Sequence, residues 1–370
     1  GIDFEILEKE EECSGLCKTI QEKGFTFDCH GGHIIFSKDK EIFDFMLDIL
    51  GENKLKIKRN SKILYKKYFV KYPFENGLND LPIEENYECL NEFMKTIGKE
   101  TSAENFKEWI LNTFGKGIAD KYLIPYNEKI WNFPAEKMAT FWIADRLPKP
   151  PMEDIIKSSL GISTEGYLHQ LYFFYPKTGG IQSMLNNIMS GFNEKIKTNF
   201  KVENIKKQDK WIVSDGNEEK TFDMLVSTIP VMNLVDKINK APDEVVKAAK
   251  SLRYNSLITV LLGFDYEIES DKHWLYLPDK NILFHRIIYL NNYSEETSPK
   301  GKSSIMAEIT YNEGDDVSKM SDDEIINHVV KGLVERDLIK SEDAHYKKVM
   351  RAKYAYVVYD LDYEKNINTI

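Results

Sequence analysis

Two arginines, Arg146 and Arg286, are the residues best suited to hold a strongly anionic group in this 370-residue chain, where 50 basic side chains are set against 60 acidic ones. A guanidinium is planar and permanently charged, so it can clamp a diphosphate through paired hydrogen bonds. Tyr276 and Tyr293 flank Arg286 in strand-like sequence, and their hydroxyls can donate to phosphate oxygens. Taken singly, an arginine more often forms a surface ion pair and a tyrosine more often packs a core. A second set of residues suits close approach of bare backbone to a flat ligand: Gly31-Gly32 before His33, and Gly179-Gly180 after Pro176. Glu8 closes a strand-like run, the place where a dinucleotide-binding unit holds a ribose, although Glu8–Glu12 reads equally as a solvated acidic stretch. The seven histidines show no metal-ligand spacing beyond His30 and His33. Cys13, Cys17, Cys29 and Cys89 form no Cys-x-x-Cys pair, so no metal site is expected.

The composition, 42% hydrophobic and 30% charged, is that of a globular chain with room for two or three domains. A net charge of −10 argues against a nucleic-acid partner. The longest apolar runs, such as Leu257–Phe264, are too short to cross a bilayer, and no targeting segment opens the sequence. Four cysteines make no disulfide framework, which suits a reduced, cytoplasmic setting. The chain opens on Gly1 already close to a strand-like run and closes in the pattern-rich Tyr354–Ile370, so it reads as trimmed at both ends.

The elements that must position these residues interleave strands and helices, an α/β or α+β pattern. Residues 1–8 read as a buried strand, and 9–24 as a Ser14-Gly15 turn followed by a helix-capable stretch. Apolar residues at helical spacing mark helices over 40–50, 84–97 and 322–335, while alternation of apolar and basic residues over 55–74 suits a hairpin. Residues 101–165 read as mostly helical, with breaks at Pro125, Pro134, Pro148, Pro150 and Pro151. Gly179-Gly180 opens a helix to about residue 194, and 200–229 forms short strands around Ser214-Asp215-Gly216-Asn217. Residues 257–266, 272–293 and 303–311 read as strands of an antiparallel sheet.

Several strings then fall into one order. They are Leu7-Glu8 followed after a gap by Gly15-Leu16, Gly31-Gly32-His33-Ile34-Ile35-Phe36-Ser37, Val70-Lys71-Tyr72-Pro73-Phe74, and Pro125-Tyr126-Asn127-Glu128-Lys129-Ile130-Trp131 with Arg146 nineteen residues after Asn127. Tyr175-Pro176-Lys177-Thr178-Gly179-Gly180, Trp274-Leu275-Tyr276-Leu277-Pro278, Phe284-His285-Arg286 and Asn292-Tyr293-Ser294 complete the set. In order and spacing the chain resembles the UDP-galactopyranose mutases, particularly their eukaryotic-type branch, within the FAD-dependent amine oxidase and protoporphyrinogen-oxidase-like superfamily.

The resemblance implies an α/β fold. An FAD-binding Rossmann-like domain (residues 1–60, 170–235 and 345–370, without its first strand and Gly-rich loop) would carry an inserted helical domain (78–165) and an antiparallel-sheet substrate domain (61–77 and 236–344). It implies FAD bound by Glu8, Gly15, Leu16, Gly32, His33, Ile34, Gly179 and Gly180, with the Val202 backbone near the adenine. The active cofactor would be the reduced form, with NAD(P)H as a possible reductant. It implies a nucleotide-sugar substrate. Tyr72, Phe74 and Glu75 would meet the uracil, with Tyr72 and Phe74 stacking on it. Asn127, Trp131, Gln170 and Tyr356 would line the rest, although Trp131 by its own type reads as packing. Tyr276, Tyr293, Arg146 and Arg286 would hold the diphosphate. His33, Arg146 and Arg286 are the catalytic candidates. The implied reaction is interconversion of UDP-galactopyranose and UDP-galactofuranose, with the flavin N5 as nucleophile at the anomeric carbon. The alternative is an oxidoreductase of the amine oxidase or protoporphyrinogen oxidase kind. Glu75 stands where the resemblance expects glutamine, Gln170 where it expects asparagine, and Tyr356-Val357 lacks an expected proline. On this reading the two arginines converge on one pocket, and removing Arg286 weakens substrate binding with little change in melting temperature.

Overall fold

The apolar run Leu257–Phe264 becomes part of the strand Arg253–Phe264, which is buried on both faces and lies second from one edge of a seven-stranded sheet. In the computed structural model, residues 1–98, 102–143, 151–164 and 171–370 are described. They group into two units. One comprises Gly1–Gly15, Leu185–Arg253 and Tyr359–Ile370, the other Leu16–Met184 and Tyr254–Val358.

The larger unit is built on the seven-stranded sheet. Its strand order is Tyr346–Val358, Arg253–Phe264, Ser303–Tyr311, Arg286–Tyr289, Trp274–Tyr276, Ser61–Tyr65, Tyr68–Lys71. The strands expected over 257–311 pair antiparallel with one another, and one parallel pair, Trp274–Tyr276 with Ser61–Tyr65, makes the sheet mixed. This pairing attaches the hairpin Ser61–Lys71 to the sheet, a long-range contact that no local pattern announces. Arg286 lies opposite Tyr276 on one neighbouring strand and opposite Glu308 on the other. Tyr293 is not on a strand as expected; it follows the 3-10 turn Leu290–Asn292.

One face of the sheet is covered by the helix Asp322–Val334, whose Ile325, Val329, Val330 and Leu333 join Ile258, Val260, Leu262, Ile305 and Ala307 in the core. Its start is fixed by a capping box: Ser321 Oγ accepts from the Glu324 amide, and the Glu324 carboxylate accepts from the Ser321 amide. Elsewhere in the sheet, Gly263 leaves room for the Phe25 ring. Phe27 in turn stacks on Tyr346 at 5.3 Å.

The stretch 9–24 is not helical. It forms a 3-10 turn at Gly15–Cys17 and the strand Thr19–Glu22, which pairs antiparallel with Phe25–Asp28. The two-residue turn Lys23-Gly24 has positive φ at both positions, the backbone that matches hairpin twist and overrides the weak helical signal before it. The helix after Gly179-Gly180 spans Gln182–Met189 and stops before Ser190-Gly191, earlier than expected.

Helices Ile83–Met94, Phe106–Ile118, Ile124–Trp131 and Met152–Ser159 form the helical part. Pro125 does not break it. The chain runs from Phe106–Ile118 through the π-helical Ala119–Leu123 into Ile124–Trp131, and Pro125 follows directly on the π-helical turn, where the Ile124 amide bonds the Ala119 carbonyl and the ordinary ladder is already interrupted. The kink lies instead at Gly115, with φ 74 and ψ 166. Side chains of the sheet cap the end of Ile124–Trp131: Thr310 Oγ1 donates to the Lys129 carbonyl at 2.7 Å, and Asn255 Nδ2 to that of Ile130 at 2.8 Å.

In the smaller unit, Ile6–Leu7 pairs in parallel with Ile196–Lys197. The expected buried strand over 1–8 is reduced to these two residues, and Ile6 is 38% exposed because this strand has one neighbour. Asn204–Lys207, Trp211–Ser214 and Glu219–Phe222 form the expected short antiparallel strands, turned by Asp215, whose carboxylate accepts from the amides of Asn217 and Glu218.

Lys129 generates a stability prediction. Its ammonium donates to the carbonyls of Leu277 (3.1 Å), Asp279 (2.6 Å) and Phe284 (2.7 Å), joining the helix to the Trp274–Arg286 connection. Burial lowers its pKa to about 7, so the charge that makes these bonds is lost progressively as pH rises through neutrality. Lys129→Met should lower stability by about 2–4 kcal/mol in urea melts at pH 6, because three buried acceptors lose one donor. Because the folded-state pKa lies below the ordinary 10.5, the parent gains stability relative to the variant as pH rises from about 7, so the deficit should be larger at pH 9 than at pH 6.

Candidate active site

The site is organised around a carboxylate with no solvent exposure. Glu308 Oε2 accepts from Arg286 Nε at 2.7 Å and lies 2.6 Å from Nη2. The buried His285 imidazole stands 3.5 Å from the same oxygen. Burial alone would raise the Glu308 pKa, but the Arg286 charge and the His285 contact override it and hold it at about 2. Burial pushes His285 down, so it stays neutral and Arg286 is the cation of this group. The arginine is 21% exposed at its side chain and meets Glu308 through its Nε–Nη2 edge, which directs the Nη1 edge elsewhere.

Aromatic and phenolic side chains surround that guanidinium. Tyr276 lies across the strand pair, and Tyr356 is within hydrogen-bonding reach. The Trp274 indole N–H donates to the Tyr276 hydroxyl. So does Arg59 Nη2, at 3.3 Å. The Arg59 guanidinium also covers the rings of Tyr72 (4.8 Å) and Trp274 (4.7 Å). Tyr72 stacks obliquely on Tyr276 at 4.8 Å, and Tyr126 meets Tyr276 edge-on at 5.4 Å, with its own hydroxyl buried and without a hydrogen-bond partner among the described residues. The structure thus sets Arg59 and Arg286 about one tyrosine, with phenols between them.

Arg59 was missed in the sequence. It sits in the alternating run 55–74, which reads as a solvated hairpin. The available signal is that it is the one arginine among the lysines Lys54, Lys56, Lys58, Lys62, Lys66, Lys67 and Lys71. A planar cation in that run is the one able to lie flat on aromatic rings.

The histidine loop approaches the same cluster through its backbone. The Gly32 amide donates to Glu308 Oε1 at 3.2 Å. At Gly31, φ is +112, and an added Cβ would sit 2.7 Å from that oxygen. Ile35 N bonds the Phe174 carbonyl at 2.8 Å, fixing the loop's far end. His33 and Ile34 are half-buried, and the Nδ1 atoms of His30 and His33 are buried without a hydrogen-bond partner among the described residues.

The Gly179-Gly180 turn is held by Asp28. This buried carboxylate accepts from Thr19 Oγ1 (2.8 Å), the Tyr175 hydroxyl (2.9 Å) and the Ile181 amide (3.1 Å). A Cβ on Gly180 would lie 2.4 Å from Thr19 Cγ2, so a side chain cannot enter. Tyr293 is buried with its ring 5.2 Å from both Phe173 and Tyr175. The two orphaned imidazole nitrogens of His30 and His33 suit a flat, polar heteroaromatic ring such as a flavin.

The other expected site residues fall as follows. Phe74 is wholly buried and stacked on Tyr122 at 5.3 Å, so here it is a packing residue. Asn127 is buried and donates its amide to the Leu123 carbonyl at 2.7 Å, inside its own helix. Trp131 packs between Trp142 (5.4 Å) and Tyr356 (5.8 Å). Glu75 is buried, next to Phe74. Leu16, in the larger unit, is 43% exposed. Glu8, Gly15 and Val202 belong to the smaller unit, where the Glu8 carboxylate accepts from the Glu10 amide at 2.9 Å and Gly15 has open space at its Cβ. Arg146 and Gln170 lie outside the described residues, as does the expected convergence of Arg146 with Arg286. The expectation that Arg286 can be removed with little effect on melting is corrected, because its loss strands a buried, ionised Glu308. Among the described residues no helix is long and apolar enough to cross a membrane, and no group of His, Cys, Asp or Glu is placed to hold a metal.

The chain belongs to the flavin containing amine oxidoreductase family, which matches residues 1–349. Its structure is similar to that of a reduced UDP-galactopyranose mutase, with a TM-score of 0.90 and 25% identity over 99% of this chain and 81% of the other. It shares its fold with a putative protoporphyrinogen oxidase from Exiguobacterium sp. 255-15, with a TM-score of 0.75 and 16% identity over 98% of this chain and 83% of the other. It also shares its fold with a putrescine oxidase variant, with a TM-score of 0.65 and 14% identity over 97% and 84%. The family and the α/β fold with its large mixed sheet make this a flavin enzyme and support FAD as its cofactor.

Glu75 offers a pH test. Burial raises its carboxyl to about 7, from 4.5. The folded state therefore favours the protonated acid, and its contribution to stability falls as pH rises from 4.5 through 7. Glu75→Gln, which cannot ionise, should exceed the parent in stability by roughly 3 kcal/mol at pH 9, with the difference narrowing below pH 5. Urea midpoints measured across that range check it.

Proposed function

We propose that this chain is a flavin-dependent isomerase interconverting UDP-galactopyranose and UDP-galactofuranose. The carrying observation is the geometry of Arg286: one edge is neutralised by Glu308, the other is directed among the phenols of Tyr276 and Tyr356, and Glu308 also bonds the glycine–histidine loop. A diphosphate needs such a fixed cation in a chain of net charge −10, whereas an amine, itself cationic, does not. The likeness to a reduced UDP-galactopyranose mutase supports the same substrate class.

On this reading Arg286 balances the charge of the departing UDP, with Arg146 as its expected second cation. Tyr276 and Tyr356 donate to phosphate oxygens. Arg59, lying on Tyr72 and Trp274, holds the floor of the nucleotide pocket. Tyr72 and Glu75 meet the uracil, and the aromatic wall keeps water from the anomeric carbon. His33 and the glycine pairs receive the isoalloxazine face. When bound and reduced, the flavin supplies the nucleophilic nitrogen. A second reading, oxidation of an amine, is favoured by the family's amine oxidoreductase description.

Protein loaded with FAD and reduced by dithionite or NADPH should convert UDP-galactofuranose to UDP-galactopyranose, resolved by chromatography. A reduced, flavin-loaded preparation that leaves UDP-galactofuranose intact rejects the mutase reading, and peroxide release from amines by the oxidised protein would establish the second. Arg286→Ala should weaken UDP binding by about 2–5 kcal/mol and lower stability by about 3–5 kcal/mol. Arg286→Lys should melt closer to the parent, since a cation still faces Glu308, yet bind UDP poorly for want of the planar fork. Calorimetric titration with UDP and thermal melts separate the two effects.

A further inference from the structure

Glu308 has two oxygens, and both are committed. Oε2 takes the Nε and Nη2 edge of Arg286, while Oε1 takes the Gly32 amide. The carboxylate has no exposure to solvent, so donors on the protein replace the water it would otherwise bind. Its partners sit on two elements with different duties. Arg286 is on a strand inside the sheet, paired on both sides. Gly32 is in a loop without helix or strand, followed at once by His33. The absent side chain at Gly31 is what lets the loop reach Oε1.

We propose that Glu308 is a positioning residue that couples anion binding at Arg286 to the placement of the flavin-facing loop Gly31–Ile34. The inference rests on the reading of Arg286 as the diphosphate clamp. When a diphosphate shares the guanidinium, Glu308 receives less of that charge and depends more on the Gly32 amide. The loop is thereby drawn towards the sheet. The converse also holds, because a loop held in place by the flavin gives Oε1 its donor and leaves Glu308 less dependent on Arg286, which frees the guanidinium for an anion. The coupling is therefore positive and, as a binding free energy, identical in both directions. His285 does not compete for the role, since burial keeps it neutral beside the same oxygen. Glutamine at 308 would keep the shape but offer one acceptor oxygen in place of two. Aspartate would keep the charge but lack the reach to serve both partners.

The test is a thermodynamic cycle with FAD and UDP as the probes, the FAD dissociation constant being read by flavin fluorescence with and without saturating UDP. In the parent, UDP should tighten FAD binding at least about fivefold, the lower end of ordinary coupling. In Glu308→Gln both ligands should still bind, but the UDP effect should fall to within about twofold of none. Tryptic cleavage at the exposed Lys38 and Lys40, just beyond the loop, should be slowed by UDP in the FAD-loaded parent and unaffected by UDP in the variant. If Glu308→Gln does not fold, Glu308→Asp serves, with the same loss of coupling expected. Coupling in either folded variant as large as in the parent overturns the proposal, as does a parent that binds both ligands with no coupling. A parent that binds FAD but not UDP overturns the clamp reading itself, a result distinct from lost coupling.

Discussion

The Arg286–Glu308 ion pair is the constraint on which the rest of the site depends. A carboxylate removed from water is tolerable in the ionised form only when a fixed cation and hydrogen-bond donors replace its hydration. That requirement fixes the register of three strands, because Arg286 must lie opposite Glu308 on one side and Tyr276 on the other. It forbids a side chain at Gly31. It also leaves the neighbouring His285 neutral, so the pair is not complicated by a second positive charge. The arginine is oriented by this contact before any ligand arrives, and the side-chain entropy that a free arginine would lose on binding is already spent.

Two buried carboxylates fasten the glycine-bearing turns. Glu308 bonds the loop that carries His33, and Asp28 fastens the Gly179-Gly180 turn to the strand Phe25–Asp28 through Ile181, Thr19 and Tyr175. Both are buried acceptors that serve main-chain N–H groups. Each glycine-bearing turn is thereby bonded to a neighbouring element through a main-chain amide. On the ligand side, Arg59, Tyr72, Trp274, Tyr276 and Tyr126 form one contiguous stack of rings and cations, resting on the sheet and on the helix that Lys129 ties to it.

The Glu75 departure has a physical reading in this setting. Where the mutase resemblance expects an amide, burial raises the carboxyl to about 7, and below that pH it is a neutral acid. A protonated carboxyl offers one donor and one acceptor side by side, as an amide does. The substitution therefore changes the pH dependence of the pocket more than its hydrogen-bonding pattern at mildly acidic pH.

The sequence by itself determined the parts that depend on local rules. Strand-like stretches marked Leu257–Phe264, a continuous apolar run, and Ser303–Tyr311, helical spacing marked Asp322–Val334, and the glycine–histidine and Pro-x-x-Gly-Gly strings marked the glycine turns. Ordered motifs were enough to indicate the flavoprotein family. Only the tertiary structure decided what each site residue touches. Glu308 is the one charged letter in the strand Ser303–Tyr311, and nothing near it in sequence says that its partners are Arg286, 22 positions away, and Gly32, 276 positions away. Arg59 reads as one more basic residue in a hairpin until the parallel pairing of Ser61–Tyr65 with Trp274–Tyr276 carries it over Tyr72 and Trp274. Phe74 and Asn127 carry the expected motif, yet packing turns one into the core and the other into its own helix. Periodicity reports which face of an element is buried. The choice of partner across that face is a long-range property, set when the sheet closes and every buried charge must find its counter-charge.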